Sequence, residues 1–335
     1  MQDRPTTFSV GDTIADRWRI EALLGTGGHA CVYRVVRAGI PRIDTPRRAA
    51  LKVLCTPRCE SEGVELRSRF HREAAIGRAL RGLHVPRVHE LFETEGGDLC
   101  LVMEFIEGED LQGRIEHRGP LSIPAAMDLG AQMLEALSEL GSLGLVHRDL
   151  KPSNVMLQPL ARGGLVAKLI DFGIGSAPAS EATPRLTGRG VLLGTPEYMA
   201  PEQIRGEPAD PRTDLHALGV LLFEAVSGAL PFEGAGACAT LAKVLTEPAP
   251  DLCARAPWCP PSFASWVQRA LAKTPEERFA DADAMAAELA RVADFLKVPR
   301  GASAWAAPWD VASVAGGGLR PSKRPAARAR PRIPP

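Results

Sequence analysis

Long apolar runs are missing from this chain of 335 residues. Its most apolar long window, Leu215–Leu230, is broken by His216 and Glu224 and is too short and too polar to span a bilayer. The N-terminal text MQDRPTTFSV holds no apolar stretch of the kind a secretory signal requires. Net charge is missing as well: 40 Lys and Arg balance 40 Asp and Glu, which argues against bulk nucleic-acid binding. Cysteine is sparse and odd in number, at seven. The spacings Cys55/Cys59 and Cys253/Cys259 are loose and lack matching histidines, so a structural metal is not expected. These absences together read as a cytoplasmic protein with reduced thiols.

What is present is a globular composition, with 45% hydrophobic and 24% charged residues. A chain of this length buries a sizeable core without disulfide or metal staples. The charge balance hides an asymmetry. From Arg300 onward there are seven basic residues and one acid, so the tail is +6 and the preceding residues −6. Residues 1–16 are polar and unpatterned and read as disordered. From Arg17 the text is strand-like (RWRIEALLG, a glycine cluster, ACVYRVV, then AALKVL). Ser61–Leu80 reads as a helix, and Pro86–Phe92 and Asp98–Phe105 as two strands turned by Gly96-Gly97-Asp98. Beyond Gly108 long helices take over. Ile123–Leu140 has apolar residues at helical spacing behind Ser122 and Pro124, and Leu215–Val226, Ser262–Leu271 and Asp281–Phe295 follow. The pattern predicts an α+β fold: a small antiparallel β lobe with one helix, residues 17–105, and a larger mainly helical lobe, 106–298. Residues 299–335 are rich in Pro, Ala and Arg and read as a disordered basic tail.

Four stretches carry chemistry. Gly25-Thr26-Gly27-Gly28-His29-Ala30 lies between two strands, where it serves either as a plain hairpin or as a turn whose N–H groups meet phosphates. Lys52 sits inside an apolar strand. It either points to solvent from an edge strand or is paired with an anion, because a buried ammonium is costly alone. Glu73 could supply that anion, since Phe70, Glu73, Ile76, Gly77 and Leu80 fall on one helical stripe. His147-Arg148-Asp149-Leu150-Lys151-Pro152-Ser153-Asn154 places a carboxylate, an ammonium and an amide within six residues. Such groups can take a hydroxyl proton, neutralise a phosphate and ligand Mg²⁺. Seventeen residues after Asn154 comes Asp171-Phe172-Gly173, a carboxylate at a strand end.

The order of these stretches, completed by Gly194-Thr195-Pro196-Glu197-Tyr198-Met199-Ala200-Pro201-Glu202, resembles the Hanks-type protein kinases, most of all their bacterial serine/threonine branch. The likeness runs from about Arg17 to Val292. It implies a bilobal protein kinase fold and an ATP-dependent serine/threonine protein kinase that transfers the γ-phosphate of Mg-ATP to protein Ser/Thr hydroxyls. The resemblance further implies that Gly25, Thr26, Gly27, Gly28, His29, Ala30 and Val32 cover the ATP phosphates. Lys52 would hold the α- and β-phosphates and pair with Glu73. Asp149 would act as base, Lys151 would meet the γ-phosphate, and Asn154 and Asp171 would bind Mg²⁺, with Mn²⁺ as an alternative. Met103 stands at the gatekeeper position, with the backbone of Glu104 and Ile106 at the adenine edge. Asp110 is either near the ribose or the N-cap of the next helix. Lys151 and Thr195 fit the serine/threonine class. Glu202 with Arg278 resembles a buried ion pair, and Asp214 an anchor of the catalytic-loop backbone.

Departures are few. Ala30 replaces a third glycine, and Gly77 stands where the family has a larger apolar residue linking the helix to Phe172, which predicts a gap there and a less stable active position of the helix. Arg148 implies a phosphorylated residue between Asp171 and Glu202, with Thr187 best placed and Thr183, Ser176 and Ser180 behind it. Activation by autophosphorylation, with a dimer for the trans reaction, follows from the same resemblance. Trp305 and Trp309 are open to three readings: a latch on the body, a short extra helix, or no role. A scaffold that has lost catalysis would be expected to lack Lys52, Asp149 or Asp171. A small-molecule phosphotransferase would be expected to lack the Gly194–Glu202 text.

Overall fold

The structure is a computed structural model that describes residues 8–27, 30–39, 46–55, 60–161, 163–171 and 195–306. The chain divides into two compact units, one through Glu107 and one from Gly108. The first is built on strands β1 (Thr13–Ile14), β2 (Trp18–Thr26), β3 (Ala30–Arg37) and β4 (Arg48–Leu54), helix α1 (Glu60–Ala79), and strands β5 (Val88–Glu93) and β6 (Leu99–Glu104). All neighbours pair antiparallel in the order β1-β2-β3-β4-β6-β5. Alternation along β6 explains its continuous apolar text. Cys100 and Val102 join Trp18, Ile20, Tyr33 and Val35 on one face, whereas Leu99 and Leu101 pack with Phe70 and Ala74 of α1 on the other. Each such fully buried side chain stabilises the unit by about 1.5–3 kcal/mol.

Two expectations meet the structure here. Toward β5 the space beside Gly77 is filled, since a Cβ added there would stand 2.4 Å from Val88 Cγ2, whereas Phe172, the other side of the expected gap, lies outside the described residues. A larger residue at 77 must push that strand aside. Moreover, ordered chain begins before residue 17, because Thr13 and Ile14 pair with Arg19 and Trp18 and Ile14 is buried.

The second unit starts with a short strand, β7 (Glu109–Asp110), then helices α2 (Leu111–Arg118) and α3 (Ile123–Ser142), then the hairpin β8 (Val155–Pro159) and β9 (Leu165–Leu169). Helices α4 (Pro201–Arg205), α5 (Pro211–Ser227), α6 (Ala237–Thr246), α7 (Leu252–Arg255), α8 (Pro261–Ala270), α9 (Ala282–Leu296) and α10 (Ala302–Ala306) follow. Gly108 is required where the chain passes β8, since a Cβ would fall 2.0 Å from the Leu157 carbonyl oxygen. Helix starts follow their caps: Ser122 Oγ accepts from Ala125 N, Asp210 from Arg212 N, and Asp281 from Ala284 N. Helix α5 is buried nearly all round, as its apolar text requires, and no described helix is long and apolar enough to cross a membrane.

The chain does not lose order at 299. Helix α10 seats on α3, where Asp128 accepts from Gly301 N and from Trp305 Nε1, both at 2.8 Å. The indole found a carboxylate partner, which composition could not show; Trp309 lies outside the described residues.

His216 of α5 is fully buried, and neither ring nitrogen has a partner among the described residues. Burial, with the Arg278 and Lys273 charges nearby, holds its pKa well below 6.5. His147, also fully buried, is lowered to about 4, chiefly by burial. Both histidines therefore fold neutral. Their contribution to stability is whole above pH 6.5 and is lost as pH falls toward their folded values. His216→Leu is expected to flatten the fall in stability between pH 7 and pH 5, read by urea unfolding at each pH. An unchanged pH slope would contradict a neutral, buried His216.

Candidate active site

In the first unit, Gly25 pairs with Val32, and Gly27 N donates to Ala30 O at 2.8 Å, closing the β2–β3 turn. A Cβ at Gly25 would meet nothing within 4 Å among the described residues. Thr26 ends β2, whereas Gly28 and His29 lie outside the described residues. Lys52 stands on β4 with β3 on one side (Val32↔Lys52) and β6 on the other (Lys52↔Leu101). The edge-strand reading is thus corrected: β4 is central, and an ammonium there requires an anion. Glu73 of α1 provides it, with Oε1 2.6 Å from Lys52 Nζ and both side chains mostly buried. Met103 and Glu104 end β6, and Ile106 follows, buried. The Glu104 N–H donates to Arg87 O at 2.8 Å, so a ligand at this strand end would meet the Glu104 carbonyl rather than its N–H.

In the second unit, the loop after α3 gathers the remaining groups. Lys151 Nζ donates to Asp149 Oδ2 at 2.7 Å and to Thr195 Oγ1 at 3.2 Å. Asn154 Nδ2 donates to Asp149 O at 2.8 Å and to Oδ2 at 3.1 Å. Both donors collect on Oδ2; among the described residues Asp149 Oδ1 receives no hydrogen bond. Ile170 N donates to Asn154 O at 2.8 Å, which brings the end of β9 beside Asn154 and delivers Asp171 next to it in the chain. Asp171 is exposed at φ 53, a left-handed conformation uncommon for a residue with a Cβ. Asp110 accepts from Gly113 N at 2.8 Å as the N-cap of α2.

The loop is held from below. Asp214, at the start of α5, accepts from His147 N at 2.7 Å and Arg148 N at 2.8 Å. Burial pushes its carboxyl up to about 6, opposed by those two N–H donors. Arg148 has φ 68, and its carbonyl accepts from Gln203 Nε2 at 3.1 Å. Gln203 also accepts from Ala200 N at 3.0 Å, a role the sequence reading missed. The available signal was a Gln three residues after the N-cap of α4. Arg278 forks onto Glu202 at 2.7 and 2.8 Å, and both are buried. A pocket of about 260 Å³ opens beside Lys151 and Thr195, lined also by Gln112, Glu197, Tyr198 and Leu230. Thr187, Thr183, Ser176 and Ser180 lie outside the described residues, as do Phe172 and Gly173.

The donor set of Asn154 and Asp171 is amide and carboxylate oxygen, with the Asn154 Nδ2 already used as a donor to Asp149. Hard oxygen donors of this kind fit Mg²⁺ or Mn²⁺ and not a thiophilic metal.

Comparison with known proteins gives concordant matches. Residues 18–290 match the family described as protein kinase domain. The chain is 37% identical over 295 residues to serine/threonine-protein kinase pkn3 of Myxococcus xanthus, covering 87% of this chain and 53% of that protein. It is 36% identical over 297 residues to serine/threonine-protein kinase PknA of Mycobacterium tuberculosis, covering 87% and 64%. The chain thus spans about half to two thirds of the length of these curated relatives. The crystal structure of the Mycobacterium tuberculosis PknI kinase domain is similar at a TM-score of 0.62 and 26% identity, covering 86% of this chain and 100% of that one.

Proposed function

Because this chain belongs to the protein kinase domain family, we propose that it transfers the γ-phosphate of ATP to serine and threonine hydroxyls of proteins. The observation that carries the reading is the Lys151 bridge between Asp149 and Thr195, with a pocket open beside it. An acceptor hydroxyl would approach Asp149 at Oδ1, the oxygen its neighbours leave to it. As the hydroxyl oxygen bonds to the γ-phosphorus, the bond from phosphorus to the β-bridging oxygen breaks and ADP leaves. The hydroxyl proton passes to Asp149. Lys151 would offset charge on the transferring phosphoryl oxygens. Lys52, fixed by Glu73, would hold the α- and β-phosphates, and the turn at Gly25, Thr26, Gly27 and Ala30 would cover them.

The family uses ATP with a divalent metal, and for this chain we assign Mg²⁺, held by Asn154 and Asp171. When bound, the ion would neutralise phosphate charge. Asp110 caps α2 through Oδ1, and its other carboxylate oxygen would be the acceptor for a ribose hydroxyl. Autophosphorylation between Asp171 and Glu202, in trans between two copies, is the proposed route of activation. Incubation with γ-labelled ATP, Mg²⁺ and an acceptor protein tests the reading. Label is expected on Ser and Thr and is expected to vanish with EDTA. Transfer that survives EDTA, or that reaches only a small molecule, would contradict it.

A further inference from the structure

Strands β3 and β4 pair with Cys31 opposite Val53. Cys55 lies two residues beyond Val53, so the strand alternation carries its side chain to the same face as Cys31. The two Sγ atoms stand 3.5 Å apart. A disulfide spans about 2.0 Å, so closure needs an approach of about 1.5 Å. Cys55 is the first residue past the end of β4, outside the β3–β4 register, and so can supply much of that movement. The other described cysteines are also thiols and are placed differently. Cys100 is fully buried, Cys238 is exposed, and Cys253 Sγ is turned to the Cys259 carbonyl at 3.4 Å.

We propose that Cys31 and Cys55 are a redox modification site: a dithiol that a peroxide converts to a disulfide and a thiol reductant restores. Their exposure divides the roles. Cys55 is half-buried and open to a small oxidant, whereas Cys31 is only 5% exposed and sheltered. The Cys55 thiolate attacks a peroxide oxygen; an S–O bond forms, the O–O bond breaks, and one water leaves after protonation. The Cys31 thiolate then attacks the Cys55 sulfur. The S–S bond forms, the S–O bond breaks, and hydroxide leaves as a second water. Two thiols are oxidised and one peroxide is reduced. Tyr33, two residues along β3 on the same face, is fully buried, and Phe8 packs edge-on against its ring. Burial and the neighbouring thiols push its phenol up to about 12, so it stays protonated beside the pair and adds no competing anion.

The placement gives the modification a consequence. Cys31 is the second residue of β3, directly after the glycine turn, and Val32 beside it pairs with Lys52. Cys55 lies three residues past Lys52. A covalent bond here would tie the exit of the turn to the end of the strand that carries Lys52, restraining the turn.

The test treats the full chain with hydrogen peroxide, blocks remaining thiols with N-ethylmaleimide, and maps peptides without reduction. A Cys31–Cys55 linked peptide is expected, two hydrogens lighter than its parts, lost on adding dithiothreitol and absent from Cys55→Ser. Cys31→Ala serves as a second variant and is expected to leave Cys55 unlinked. Hydrogen exchange at residues 23–27 is expected to slow in the oxidised form. Cys55 linked instead to Cys59 or to another chain, or oxidised to sulfinic acid with no linked peptide, would overturn the proposal. None of these readouts needs phosphoryl transfer, so the proposal stands or falls apart from the kinase reading.

Discussion

Asp149→Asn is expected to slow phosphate transfer to an acceptor protein by about 10²–10⁴-fold, the range for loss of a positioned general base. The substitution keeps shape and one oxygen, and removes the charge that Lys151 Nζ meets at 2.7 Å. The Asp149 side chain is about a third exposed, so its fold should be retained, read as an unchanged urea midpoint. ATP should still bind, because the proposed phosphate contacts of Lys52 are untouched. Lys151→Ala is expected to impair transfer as well, since it releases both Asp149 and Thr195 from one ammonium. Transfer at wild-type rate by Asp149→Asn would remove Asp149 from the mechanism.

Arg278→Ala is expected to cost about 3–5 kcal/mol, the largest stability loss foreseen for a single residue of this fold. Glu202 would be left charged and buried, with Thr213 Oγ1 at 2.9 Å as its remaining side-chain partner among those described. The guanidinium also donates to Ala272 O at 2.9 Å and Arg212 O at 3.0 Å, so two carbonyls lose a donor. Arg278→Lys should not restore the loss, because an ammonium cannot reproduce the fork. Burial pushes the Glu202 carboxyl up, but the hydrogen bonds and charge of Arg278 outweigh it, and its pKa lies below 4.5. The pair's contribution is therefore whole above pH 4.5 and is lost as pH falls through the folded value. Urea unfolding of Arg278→Ala at neutral pH checks the size; a loss under about 1 kcal/mol would mean that the pair is not a buried ion pair in solution.

Much of this was legible from residues alone, for physical reasons. Strand text such as ACVYRVV and AALKVL is rich in β-branched and apolar residues, the long helices α3 and α9 carry caps and apolar stripes, and α5 carries a cap and a continuous apolar run. The residues alone left Lys52 either facing solvent from an edge strand or paired with an anion that the α1 stripe could supply; the Lys52–Glu73 pair itself followed from the family resemblance. What local text could not decide was which strand lies at the edge, since order in a sheet is set by long-range pairing. The Val88 methyl beside Gly77 was hidden for the same reason. Short elements such as α2, α7 and α10 span too few residues for a period to emerge. Helix α10 depends on Asp128, far away in the sequence. The cysteine contact was hidden too, because spacing argued against metal and said nothing about the β3–β4 register.

The central claim is tested most directly by incubating purified wild type and Asp149→Asn with Mg-ATP and mapping phosphate by mass spectrometry. The account predicts phosphate on serine and threonine of the wild type only, with Thr187 among the sites. A wild type that binds ATP yet carries no phosphate and passes none to an acceptor protein would contradict it, as would equal phosphorylation of the two proteins.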